Sequence, residues 1–267
     1  MRIGRVEVAG EIRFCQPAAG GVQLLSGSPA SGFEEAGDRL SEGEYRLLSP
    51  VQPGKVLVIL GGFPRAQPVE EARKVPPKFA AKLPSSVIAH GDEVVVPAEI
   101  GAAVTVEPEL AVVVGSRARR CSSEEASSAI LGFTCFNDIT HLPFIRQESD
   151  FLRAKSVDTF GPLGPWIDTD LREEDVVAGL SIRASVNGTV VHTGNTADFI
   201  HPVSQVVSEA SRYYTLEPGD VISLGTPLDP VTAGIGDTVC VEVDRVGSLV
   251  NYLVGEGGGL SPSPLRR

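Results

Sequence analysis

The chain has 267 residues, enough to bury one large core or a small and a larger one, and its 42% hydrophobic and 21% charged residues exclude a disordered protein. A formal net charge of -11 argues against nucleic acid or an anionic membrane as a partner, because both repel an acidic surface. No apolar run is long enough to span a membrane, and the N-terminus lacks the apolar core of a signal peptide, so we expect a cytoplasmic protein.

The first 27 residues predict a short antiparallel β meander. Apolar and polar residues alternate in "RIGRVEV", "EIRF" and "GVQLL", with glycines between these runs. A polar stretch, "SGSPASGFEEAGDRLSEGEY", then separates them from the apolar run "VLVIL" at 56–60. We therefore predict a small N-terminal β domain with its linker at 1–50, a larger domain at 51–254, and a disordered tail at 255–267, where no periodicity remains.

Strand patterns dominate from residue 93 onward. The runs "SIRASV" and "TVVHTG" are joined by Asn187 and Gly188, a strong two-residue hairpin signal. Two helices interrupt the strands. The first, "SSEEASSAILGF", has Ser122 three residues before Glu125, the spacing of a capping box, and the second, "HPVSQVVSEASRYY", has Pro202 in its first turn. The pattern predicts a mostly β fold with few helices.

Glu107 and Glu109 lie two residues apart in the run "VTVEPELAVVVG", so a strand would point both carboxylates to one face. Two adjacent anions repel each other unless a cation or solvent lies between them. For this pair alone, the favoured interpretation is a solvated strand edge, since Pro108 indicates an edge or a bulge. Asp138 alone would be a turn residue.

Several further stretches follow in a characteristic order. They are "AAKLPSSVI", "FNDIT", "LRAKSVDTFGPLGPW", "NGTVVHTGNTADFI", "LEPGDVISLGTP" and "GDTVCVEVDRVGSL". Together these stretches resemble the fumarylacetoacetate hydrolase family of metal-dependent enzymes over residues 53–254. The resemblance implies a mixed β-roll or sandwich of the family's C-terminal type, a small N-terminal β domain, and a homodimer.

The resemblance also assigns site residues. It places the ligands of Mg²⁺ or Mn²⁺ on Glu107, Glu109 and Asp138, and three carboxylates without a thiolate suit such a hard cation. Lys155 and Lys82 resemble the family's lysines beside the metal, which can bind a substrate carboxylate or enolate oxygen. Thr226, in "LGTP", resembles the family threonine whose hydroxyl holds the carboxylate end of the substrate.

The chain departs from the family pattern around this site. Family hydrolases carry a histidine and a glutamate in the loop after the strand that corresponds to "VLVIL", but the loop here, "GGFPRAQPVEEARK", contains no histidine. Leu142 stands in place of an arginine, Ile145 in place of a glutamine, and Leu224 in place of a threonine. The resemblance therefore implies a divergent member that lacks the usual water-activating dyad and part of the polar contacts to substrate.

Other residues could supply the missing groups. Glu70 or Glu71 could swing in on the loop, or His141, three residues after Asp138, could serve as the general base. Arg146 and Gln147 could replace part of the missing substrate contacts if their segment, expected to be an irregular loop, turns inward.

The leading hypothesis is a divalent-metal-dependent enzyme that acts on a small 2-oxo acid or β-diketone-like substrate through a metal-stabilised enolate. Hydrolysis of a C–C bond, the commonest description of the family, is the predicted reaction. Because the dyad is missing, decarboxylation or enol-keto isomerisation on the same substrate class is the alternative. A hypothesis of another class is a catalytically inactive protein that binds a metal or ligand.

Overall fold

Runs of Val, Ile and Leu between glycine- and proline-rich turns make this chain a β protein. The computed structural model describes residues 1–29, 32–64, 68–227 and 231–257. The strands are β1 Arg2–Val8, β2 Glu11–Ala18, β3 Gly21–Ser28, β4 Gly32–Ser41, β5 Arg46–Leu48, β6 Val56–Leu60, β7 Lys78–Lys82, β8 Val87–Ile88, β9 Glu93–Val96, β10 Ala103–Val106, β11 Pro108–Val114, β12 Ile130–Asn137, β13 Gly161–Asp168, β14 Ser181–Val186, β15 Thr189–Asn195, β16 Val221–Ser223, β17 Val231–Gly234, β18 Thr238–Val243 and β19 Gly247–Gly255. The α-helices are α1 Val69–Ala72, α2 Ser123–Ser128, α3 Leu142–Glu148, α4 Phe151–Lys155, α5 Glu173–Ala178 and α6 Val203–Tyr213. The predicted mostly β fold class is confirmed.

The largest sheet contains strands from both ends of the chain. Its order is β4-β3-β2-β1-β13-β12-β11-β16-β6-β7, with β5 beside β1 and β8 beside β13. Strand β11 lies inside this sheet, antiparallel to β12 and β16, and it is buried along its whole length. The interpretation of "VTVEPELAVVVG" as a solvated strand edge is therefore wrong.

The chain changes sheets between β10 and β11. Strand β10 pairs with β17, whereas β11 begins opposite Asn137 of β12. Pro108 has no backbone N–H, so it can begin a strand but cannot donate to a ladder that runs through it. Glu107, directly before this proline, lies at the junction between the two sheets.

Two cores lie on opposite faces of β11. The first fills the space between β11, the five-stranded sheet β15-β14-β18-β19-β9 and helices α2, α5 and α6, and it contains Leu110 and Val112. The second lies on the opposite face of β11, where Ile3 of β1 and Leu25 of β3 pack in one cluster with Ala111 and Val113. Because side chains alternate along a strand, Glu109 shares the face of Ala111 and lies at the end of the second core.

The predicted N-terminal meander is present as β1, β2 and β3. Strand β1 also pairs with β13, where Ile3 lies opposite Ile167, so the meander continues the large sheet. The stretch expected to be a polar linker instead contains a fourth strand, β4. Most of β4 is exposed, and Phe33 packs against Phe14 with ring centroids 5.0 Å apart, so this edge strand needs few apolar residues.

Three local sequence signals are confirmed in detail. The backbone N–H of Glu125 donates to Ser122 Oγ at 3.2 Å, and the N–H of Ser122 donates to Glu125 Oε2 at 2.7 Å, which completes the capping box. Asn187 and Gly188 connect β14 to β15 with φ values of 50° and 78°, as a tight hairpin turn of this kind requires. The helix predicted in "HPVSQVVSEASRYY" is present as α6 and buries one face, with Pro202 as its N-cap, one position before the first turn.

Four short helices, α1, α3, α4 and α5, were not anticipated. The segment "LPFIRQ", expected to be an irregular loop, forms α3, with Pro143 in its first turn. Helices this short span two turns or fewer and show no readable periodicity. Of the predicted tail, Gly255 still belongs to β19, and residues 258–267 lie outside the described ranges. No helix in the described ranges is long and apolar enough to cross a lipid bilayer.

Replacing Leu110 with Ala tests how far stability depends on β11. Its side chain is 0% exposed in the first core, so the truncation should lower the free energy of unfolding by about 2–5 kcal/mol. Val190→Ala, at a strand position that is 53% exposed, is the matched control and should change it by less than about 0.5 kcal/mol. Urea unfolding measures both values. Equal losses in the two variants would contradict the central position of β11.

Candidate metal centre and active site

Three carboxylates converge where β10, β11 and β12 meet. Glu107, Glu109 and Asp138 each offer one oxygen within 4.8 Å of the others, and their exposures are 8%, 2% and 2%. The antiparallel pairing of β11 with β12 brings Asp138 beside the two glutamates, and its backbone N–H donates to the carbonyl oxygen of Glu107 at 3.0 Å. The sheet itself therefore assembles the cluster.

Two buried lysines reach the same carboxylates from different directions. Lys82, the last residue of β7, donates from Nζ to Asp138 Oδ1 at 2.6 Å and to the Ile139 carbonyl at 2.9 Å. Lys155, the last residue of α4, donates to Asp138 Oδ2 and, at 3.1 Å, to Glu107 Oε2. Burying an ammonium group is costly unless it is paired, and both lysines here are paired.

The five charged groups do not balance. When all are ionised, three negative and two positive charges leave one negative charge in a buried site. Burial raises the pKa of Glu109 well above its usual range, and the charges of Asp138 and Glu107 raise it further. Burial also opposes ionisation of Asp138, but Lys155 and Lys82 outweigh it and lower its pKa. Glu109 is thus the carboxylate with the least positive charge beside it.

These residues fit a divalent cation. Three carboxylates without a thiolate form a donor set for a hard, oxygen-preferring ion. The hydrogen bonds that the described parts of the chain donate to the carboxylates of Glu107 and Glu109 all end on Oε2, so Oε1 of each glutamate has no described donor. A divalent cation beside Glu109 would also offset the excess negative charge.

His141 lies directly beside this cluster in the chain. It precedes α3, and its backbone N–H donates at 2.9 Å to the carbonyl of Ala154, the neighbour of Lys155. The side chain is 9% exposed, and its buried Nδ1 has no hydrogen-bond partner within the described ranges. Burial lowers the pKa of His141, and the charge of Arg153 lowers it further, so the imidazole is neutral near pH 7.

Thr226 is a second residue with a buried polar atom that lacks a described hydrogen-bond partner. Its Oγ1 is buried and has no hydrogen-bond partner in the part of the chain that the structure describes. The neighbouring Gly225 has a φ of +91°, which turns the chain after β16. A buried hydroxyl without a partner costs free energy, so a ligand oxygen at this position would be favoured.

The other sequence-derived candidates lie away from the cluster. Glu70 and Glu71 lie on α1, where they form surface ion pairs with Arg73 at 3.1 Å and Lys74 at 2.6 Å. Residues 65–67 of the same loop lie outside the described ranges. Arg146 and Gln147 are exposed on α3, because the segment expected to turn inward as a loop is a helix. The roles of these four residues stay predictions.

Sequence reasoning missed two hydroxyl groups at the cluster. Thr140 Oγ1 accepts a hydrogen bond from Lys155 Nζ at 3.0 Å and lies 3.5 Å from Glu107 Oε2. Ser223 Oγ donates to Glu109 Oε2. The available signal for Ser223 was a serine in the apolar strand "VIS", because a buried hydroxyl there needs a polar partner.

Comparisons with known proteins give matches over most of the chain. The model of the fumarylacetoacetate (FAA) hydrolase C-terminal family matches residues 58–254, and the Rv2993c-like N-terminal model matches residues 1–50. The chain is 30% identical to oxaloacetate tautomerase YisK of Bacillus subtilis (strain 168), over 79% of this chain and 73% of that protein. It is 33% identical to 2,4-didehydro-3-deoxy-L-rhamnonate hydrolase of Sphingomonas sp. (strain SKA58), over 84% and 79%. The X-ray structure of 5-carboxymethyl-2-hydroxymuconate delta-isomerase from Mycobacterium smegmatis superposes with a TM-score of 0.85 and 29% identity, covering 96% of this chain and 100% of that one.

Replacing Glu109 with Gln tests the cluster as a cation site. The change removes one negative charge and replaces one carboxylate oxygen with an NH₂ group, so Mn²⁺ affinity measured by calorimetric titration should fall by at least about 100-fold. Glu99→Gln is the matched control, because Glu99 is exposed on a short helical turn outside the cluster. Mn²⁺ affinity that is unchanged in Glu109→Gln would remove this carboxylate from the ligand set.

Proposed function

The chain belongs to the fumarylacetoacetate hydrolase family, and from this premise we propose that it is a divalent-metal-dependent enzyme that interconverts the enol and keto forms of a small 2-oxo acid. Its relatives include enzymes named as tautomerase, isomerase and hydrolase, so enzymatic activity itself follows from the family. The observation that carries the proposal is His141, whose buried Nδ1 has no hydrogen-bond partner in the described ranges and whose backbone N–H donates to the carbonyl of Ala154, the residue before Lys155.

The cluster suits the binding of a 2-oxo acid. When bound, Mg²⁺ or Mn²⁺ would act as a Lewis acid that favours the enolate form of such a substrate. Lys82 uses two of the three protons on Nζ for Asp138 and Ile139, which leaves one for a substrate oxygen. The hydroxyl of Thr226 can donate to the substrate carboxylate.

Tautomerisation requires one proton to move between carbon and oxygen, and it requires no attacking water. A neutral imidazole suits this step. In the keto-to-enol direction, Nδ1 of His141 takes the proton from the carbon next to the carbonyl, and the protonated ring gives it to the oxygen. In the enol-to-keto direction, the ring takes the proton from the enol hydroxyl and gives it to the carbon. The exposed Glu70 and Glu71 are not needed for this reaction. The proposal therefore uses the carboxylates, the two lysines, Thr226 and His141.

Hydrolysis of a C–C bond is the second candidate. It is supported by the 33% identity to a hydrolase that acts on a 2,4-didehydro-3-deoxy sugar acid. In that case His141 would remove a proton from water, and the lysines would bind the leaving enolate. Product analysis separates the two reactions, since only hydrolysis divides the carbon skeleton.

The experiment that tests the function follows the enol form of oxaloacetate by ultraviolet absorbance. Purified protein with Mg²⁺ or Mn²⁺ should accelerate its conversion to the keto form, and EDTA should abolish the acceleration, because the carboxylate cluster would then lack its cation. Acylpyruvates, followed by nuclear magnetic resonance of the products, test hydrolysis in parallel. Metal binding without turnover of either substrate class would favour the inactive binding protein and contradict the proposal.

Replacing His141 with Asn tests the base. Loss of the group that moves the proton should lower turnover by on the order of 100-fold or more. Mn²⁺ affinity should stay nearly unchanged, because the imidazole is not among the carboxylate ligands. Steady-state kinetics across pH and a calorimetric titration supply the two measurements. Turnover near that of the wild type, with an unaltered pH profile, would remove His141 from the mechanism.

A further inference from the structure

One oxygen of Glu109 is held by two donors. Ser223 Oγ donates to Glu109 Oε2, and the backbone N–H of Gly225 donates to the same oxygen at 3.1 Å. Within the described ranges no donor reaches Oε1. A carboxylate held in this way cannot rotate about its last carbon–carbon bond without losing both hydrogen bonds. Glu109 therefore keeps the same oxygen directed away from its protein donors.

The two donors are fixed by the sheet and by a glycine turn. Ser223 is 0% exposed and ends β16, where it lies opposite Ala111 of β11 and Val58 of β6. Gly225 has a φ of +91°, and a Cβ there would lie 3.0 Å from the backbone nitrogen of Gly62. A side chain at this position would be strained, so the turn that aims this N–H needs glycine.

Glu107 is arranged in the same way by different partners. Its Oε2 accepts from Lys155 Nζ at 3.1 Å and lies 3.5 Å from Thr140 Oγ1, whereas no described donor reaches its Oε1. In each of the two glutamates, therefore, one carboxylate oxygen accepts hydrogen bonds from the protein and the other has no described protein donor.

We propose that Ser223, together with the Gly225 amide, is a positioning residue that restricts Glu109 to one ligand oxygen and thereby makes the site select Mg²⁺ or Mn²⁺ over Ca²⁺. The inference rests on the proposed metal dependence. Mg²⁺ takes about six ligands in a tight octahedron, whereas Ca²⁺ takes roughly six to eight and accepts both oxygens of one carboxylate. A glutamate with one oxygen occupied by the protein disfavours the larger ion.

The test compares ion affinities in purified full-length variants. Calorimetric titrations with Mn²⁺, Mg²⁺ and Ca²⁺ are made on the wild type, Ser223→Ala and Ser223→Cys, whose thiol has nearly the same shape but is a weaker donor. Ser128→Ala is the control, because Ser128 is exposed on α2 and bonds only to the Glu124 carbonyl in the described structure. Thermal unfolding without metal shows whether each variant is folded.

We expect Ser223→Ala to bind Mn²⁺ about 10-fold more weakly, because this is the usual loss when a partner that orients a metal ligand is removed. The ratio of Mn²⁺ affinity to Ca²⁺ affinity should fall by a similar factor. Ser223→Cys should lie between the alanine variant and the wild type, and it carries the test if the alanine variant does not fold. A purely structural serine would lower the unfolding temperature and leave the ratio unchanged, and that result overturns the inference. A wild type that binds none of the three ions would instead overturn the proposed metal dependence, and the inference with it.

Discussion

Placing Glu107, Glu109 and Asp138 together in a buried site is unfavourable unless positive charge lies among them. Lys82 and Lys155 supply part of that charge from positions 56 and 17 residues away from Asp138 in the sequence. Removing one partner of a buried ion pair typically costs about 3–5 kcal/mol, because the other charge is left uncompensated. The same contacts that prepare a cation site therefore also fasten β7 and α4 to the end of β12.

The cluster can exist because β11 separates two environments. Its residues alternate between the two apolar cores, and the row that includes Ala111 and Val113 ends at Glu109. The hydrogen-bonded ladder ends at Pro108, one residue before Glu109. Glu107 therefore lies outside the ladder, between two sheets. The site thus lies where regular pairing ends, a place where carboxylates can reach a ligand while a rigid sheet holds their backbone.

Structural features that depend only on neighbouring residues can be predicted from the sequence. The alternation in the first strands, the Asn187-Gly188 turn and the capping box at Ser122 each depend on neighbouring residues, and all three are present. The resemblance to a known family supplied the carboxylates and lysines, and the sheet brings them together. Ser223 could not be assigned to Glu109, because 114 positions separate them and only strand pairing brings them into contact. Helix α3 could not be predicted, because a helix of seven residues has too few turns to show a hydrophobic period.

The pairing of β1 with β13 means that the N-terminal strands protect an edge of the large sheet from solvent. Arg2 and Ile3 cover the edge of β13, and Ile3 and Leu25 close one side of the second core. A fragment that began at residue 51 would present a bare strand edge and an apolar face, the combination that promotes association between chains. The first fifty residues thus protect this edge from aggregation. A different N-terminal segment joined to the rest of the chain would have to pair with the same edge.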